Sequence, residues 1–62
     1  MIQIVAVMAN GEADRLGPGW KAGRCNAYTR TMVRICSCEE EVQLIARTLP
    51  RGTIWALEAA GA

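Results

Sequence analysis

Sixty-two residues allow one domain, spanning the whole chain 1–62, and a domain of this length buries only ~60% of the surface that its unfolded chain exposes. A hydrophobic fraction of 52% suffices for a core and excludes wholesale disorder. Seven Lys and Arg against six Asp and Glu leave a net charge of +1, which excludes a polyanion mimic and argues against a strongly basic nucleic-acid binder.

The first element is Ile2-Gln3-Ile4-Val5-Ala6-Val7-Met8, an apolar, β-branched run that Asn10-Gly11 closes with a turn signal. Its near-continuous apolarity predicts a strand buried on both faces and therefore central in a small sheet. Residues 10–27 read as one long Gly-rich connection. Gly17-Pro18-Gly19 and Gly23 break regular structure there, although Glu12 to Leu16 could form a single helical turn. Connections of this length often bind something. Trp20 lies inside it, either folded back onto the core or presented as a docking anchor.

Tyr28 to Cys36 reads as the second strand. Side chains alternate faces with period two, so Thr31, Val33 and Ile35 are expected inward. Arg30 and Arg34 then share the outer face with Tyr28 and Met32. Ser37 and Glu40 stand at capping-box spacing before an amphipathic run, and Glu39, Glu40 and Glu41 complement the positive end of a helix dipole. Val42, Ile45 and Leu49 form its apolar stripe, and Leu49-Pro50-Arg51-Gly52 ends it. Residues 53–59 form the third strand, with Trp55 and Leu57 on one face and Ile54, Ala56 and Glu58 on the other. A fraying tail follows at 60–62.

These elements predict an α+β fold: a small β-β-α-β domain, a three-stranded sheet with one helix packed on one face. The crossover through the helix is long enough for a parallel pair, and the apolar first strand inserts between the other two, antiparallel to both. A hairpin of the first two strands competes with that arrangement.

Chemistry is sparse. Without His, the chain lacks the commonest general base and zinc ligand, and no Ser–His or Cys–His pairing can form. Gly17-Pro18-Gly19 is not followed by the Gly-Lys-Ser/Thr of a phosphate loop. Cys25, Cys36 and Cys38 are an odd set, which argues against a secreted disulfide framework. Three thiolates also fall short of the four ligands of a structural zinc site. The reading is therefore no enzyme, no cofactor and no metal. The apolar start lacks a basic leader and is too short for a secretory signal or a membrane span, so a cytoplasmic protein is expected. The start at Met1 suggests a whole small gene product.

Partner binding is left. The positive charge is six Arg and one Lys, and Arg offers a planar fork suited to interfaces. Tyr28, Arg30 and Arg34 on an open strand face, with Trp20, Lys21 and Arg24 from the preceding connection, are the expected contact residues. The same Arg/Tyr face gives the alternative reading, a small nucleic-acid-binding regulator. A free sheet edge additionally invites strand addition or a homodimer.

In length, in its start at Met1 and in the strand–strand–helix–strand order, carried mainly by Tyr28 to Ala59, the chain resembles small host-takeover proteins of bacteriophages. These include anti-CRISPR proteins and phage inhibitors of host RNA polymerase. The resemblance covers size and element order and no residue motif. It implies a non-enzymatic inhibitor of a host protein or ribonucleoprotein complex, such as a CRISPR-Cas effector, acting in the host cytoplasm.

Overall fold

The computed structural model describes residues 1–59; the tail expected at 60–62 lies outside them. Six elements follow in order: β1 (Ile2–Ala9), α1 (Asn10–Ala13), β2 (Lys21–Cys25), β3 (Thr29–Cys36), α2 (Glu39–Ala46) and β4 (Ile54–Ala59). They form one antiparallel sheet in the order β2-β3-β1-β4. The α+β class holds, but the sheet has four strands rather than three, and a one-turn helix accompanies the expected one. β1 does insert between β3 and β4, antiparallel to both, which leaves β3 and β4 parallel across it.

The additional strand comes from the connection expected to be irregular. Lys21 to Cys25 pairs with β3 and reaches it through a tight turn at Asn26. The Asn26 side chain holds that turn: its Oδ1 accepts from the backbone N–H of Tyr28 and of Thr29, both at 2.8 Å. Asn10 clamps the turn from the other side, donating from Nδ2 to the carbonyls of Asn26 and Ala27. A bulge lies between Ala22 and Cys25. Gly23 suits this site, because a Cβ there would lie 3.3 Å from the Thr31 carbonyl oxygen.

The core lies between one sheet face and α2. Ile4, Ala6, Met8, Met32 and Cys36 from the sheet meet Val42 and Ile45 from α2 and Ala13 from α1, with Ile2, Leu16, Trp20 and Leu49 packed around them. α2 begins one residue later than Ser37 capping predicts. Cys38 is its N-cap, and the acid that reaches back is Glu41, not Glu40. Ser37 Oγ donates to Glu41 Oε2 at 2.8 Å, and the Ser37 N–H approaches the same oxygen at 3.5 Å. Glu41 occupies the third helical position, but it reaches Ser37, one residue before the cap, so it fastens the entry to the helix without forming a capping box. α2 ends at Ala46, short of the expected stop at Leu49-Pro50, because the chain tightens into a turn in which Thr48 N–H donates to Ile45 O and Leu49 N–H to Ala46 O; Gly52 takes φ of 87° in the turn before β4.

Candidate interaction surface on the open sheet face

Directly opposed residues in an antiparallel pair lie on one side of the sheet, so the register assigns the faces. Arg30 opposes Met8, Met32 opposes Ala6 and Arg34 opposes Ile4. Met8, Ala6 and Ile4 are buried in the core. Arg30 and Arg34 therefore share the helix-covered face, and Thr31, Val33 and Ile35 share the bare one. This inverts the expectation. Val33 and Ile35 are β-branched and fit the period-two pattern, but Met32 and Cys36 are the residues that fill the core.

The two arginines lie at the rim of the covered face and are engaged there. Arg30 Nη1 donates to Asp14 Oδ1 at 2.7 Å. Arg34 Nη1 donates to the Pro18 carbonyl at 3.1 Å, and its guanidinium carbon lies 6.0 Å from the centre of a Trp20 ring. Both partners belong to the segment leading into β2. The arginines thus fasten that segment over the core, and their stems cover apolar surface. Trp20 folds back onto the core rather than standing out as an anchor.

Lys21, Arg24 and Tyr28 remain accessible. Lys21 opposes Val33 and so flanks the open face. Arg24 lies in the bulge. Tyr28 is 83% exposed in the turn between β2 and β3, outside the strands, and shares no sheet face with the arginines. The six expected contact residues consequently do not form one surface.

The open face is built instead from the other parity of each strand: Gln3, Val5 and Val7 of β1, Thr31, Val33 and Ile35 of β3, Ile54, Ala56 and Glu58 of β4, and Lys21 of β2. Ile35 is 51% exposed and Ile54 75% exposed, and neither helix lies over them. A depression of about 340 Å³ at the β2 side is lined by Gln3, Gly19, Lys21, Val33 and Ile35. The face is apolar along its middle, with Lys21 toward one edge and Glu58 toward the other. The unbroken apolarity of β1 was the signal for it. β1 is central as expected, but it is covered on one side only.

The thiols divide by environment. Cys25 and Cys38 are exposed, and Cys36 is buried in the core. Burial raises the Cys36 pKa, the Glu41 and Cys38 charges add to the rise, and Arg34 opposes it. Among the described residues no three His, Cys, Asp or Glu side chains gather as a metal site. No described helix is long and apolar enough to cross a membrane. Comparison of the chain with protein-family models, with curated proteins and with solved structures finds no match.

Proposed function

We propose that this chain is a non-enzymatic protein-binding module that covers a surface of a larger host complex, as phage-encoded inhibitors of CRISPR effectors do. The observation that carries this reading is the bare apolar sheet face of Val5, Val7, Val33, Ile35 and Ile54. Apolar surface that a monomer leaves in water is costly, and contiguous patches of it mark interaction sites. Lys21 beside the 340 Å³ depression favours a partner that presents apolar side chains flanked by a carboxylate. Direct binding of nucleic acid has lost the feature that suggested it, since Arg30 and Arg34 are held by Asp14 and Pro18 on the opposite face.

The test is capture from nuclease-treated lysate of the host, followed by titration against the purified partner. Val33→Glu with Ile35→Glu is expected to weaken binding by at least about 30-fold, the size of an interface hot spot. Arg47→Glu, beyond the end of α2, is expected to leave it unchanged. Equal affinity of the open-face variant and the wild type would overturn the assignment, and loss of capture after nuclease treatment would favour a nucleic-acid ligand. Inhibition is read as loss of the partner's own activity when the chain is bound.

A further inference from the structure

The two edges of the sheet are built differently. β2 is five residues long, bulged at Gly23 and decorated with Lys21 and Arg24. Short length, a bulge and cationic side chains are the devices by which sheets refuse another strand. β4 is one residue longer, has no bulge and no cationic side chain, and carries a single charge, Glu58. It pairs with β1 over six consecutive residues without a bulge, and Ile54-Trp55-Ala56-Leu57-Glu58-Ala59 contains no Lys, Arg, Pro or Gly. All six residues are exposed, and no described segment pairs with their outer side.

We infer that the outer edge of β4 pairs with β4 of a second copy, closing a two-fold dimer with one continuous eight-stranded sheet. Only a two-fold axis perpendicular to the sheet sets two such edges antiparallel in one sheet. It keeps both helix-covered faces on the same side, so a residue can oppose only one of its own parity. With the axis through Ala56, Trp55 opposes the partner's Leu57, and Ile54 opposes the partner's Glu58. Trp55 and Leu57 lie on the helix side of β4 and are left 38% and 48% exposed, because α2 packs toward β3. The dimer brings four such side chains together between the two α2 helices and removes them from water, which a short chain with a small core needs.

The charges agree with this choice of occupant. Antiparallel pairing sets each Glu58 opposite an uncharged Ile54 of the other copy, so no like charges face each other across the edge. The net charge of +1 puts no barrier between copies. A two-fold contact has to be self-complementary in this way. The inference uses the edge of the sheet, whereas the binding surface proposed above uses its flat side; Ile54 belongs to both, and Val33 and Ile35 belong to the flat side alone.

Sedimentation equilibrium over a concentration series extending to millimolar tests it. The expected result is a reversible monomer–dimer equilibrium approaching twice the 6.7 kDa chain mass. Ile54→Lys with Glu58→Lys turns both symmetric pairs into Lys–Lys contacts and is expected to give monomer throughout. Both side chains are exposed, so circular dichroism should match the wild type. For the register, Ala56→Cys in a Cys25→Ser, Cys38→Ser background is expected to cross-link to a dimer with a short bismaleimide, while Arg24→Cys in that background is not. Monomer at every concentration, a dimer that persists in the double-lysine variant, or cross-linking through Arg24→Cys in place of Ala56→Cys would each overturn the inference. Val33→Glu with Ile35→Glu should leave the dimer mass unchanged, so loss of partner binding and loss of the dimer are separable.

Discussion

The two faces of the sheet are made from nearly the same residue types and have opposite fates. One carries Ile4, Ala6, Met8, Met32 and Cys36; the other carries Val5, Val7, Val33 and Ile35. The first is the core because α2 and the segment leading into β2 lie over it. The second is surface because no described element does. Residue type alone does not decide which face of a small sheet is inside. The decision belongs to the connections, and here two arginines on the covered side fix one of them in place. Pinning by Arg30 and Arg34 and burial of Met32 are one event, since all three side chains leave β3 on the same side.

The largest expected contrast is a truncation in each face. Ile4→Ala removes a fully buried side chain and should cost about 2–5 kcal/mol in urea unfolding. In a chain this short that approaches the whole stability, so loss of the cooperative transition is an equally clear result. Ile35→Ala, about half exposed in the free chain, should cost well under half as much. Equal costs would mean that the two faces are buried alike and that the comparison fails.

The thiols give a second contrast, read without mutation. Cys25 and Cys38 should react with a disulfide reagent at once, and Cys36 only as the molecule opens. Its raised pKa adds a pH dependence. An acid that holds its proton more tightly when folded stabilises the fold fully below its unfolded pKa and loses that contribution as pH rises toward the folded value. Stability should therefore fall as pH rises through the alkaline range, and Cys36→Ala should flatten that slope. An unchanged slope would show that other groups carry it.

Much of this fold is legible in the sequence, and the parts that are not share a cause. β1, β3, α2 and β4 follow from apolar runs and turn residues, and the central place of β1 follows from its continuous apolarity. β2 is not legible because Lys21-Ala22-Gly23-Arg24-Cys25 has no apolar alternation and no β-branched residue. Its pairing with β3 is set by Asn10 clamping the Asn26 turn and by Arg34 holding the Pro18 carbonyl, contacts between residues distant in the chain. The parity of β3 is hidden for a similar reason. Thr31-Val33-Ile35 is the better strand pattern, and Arg30 takes the covered side at its rim, where Asp14 meets it. The expected grouping on one open face gave way with that parity: Arg30, Arg34 and Trp20 lie on the covered side, and of the six only Lys21 borders the open face.

Smaller effects come from the fastenings. Arg34→Ala removes a guanidinium stacked toward Trp20 and a hydrogen bond to Pro18, which together should cost about 1–2 kcal/mol and loosen residues 17–20. Increased proteolysis near Gly17 without loss of the β1–β3 amide protection would show this.

Arg30→Gln is the finest probe. It removes a single ion pair of 2.7 Å in which Asp14 is largely exposed, so the expected cost is only about 0.2–1 kcal/mol. The salt dependence is more telling than the size. Raising the ionic strength should reduce the difference between wild type and Arg30→Gln toward zero, because exposed charges are screened over a Debye length of ~8 Å at physiological salt. Arg34→Ala should keep most of its cost under the same conditions, since packing against Trp20 is not screened. If Arg30→Gln instead costs as much as Arg34→Ala and is insensitive to salt, the Arg30 stem is a packing element of the core, and the covered face reaches further toward the sheet edge than the ion pair implies.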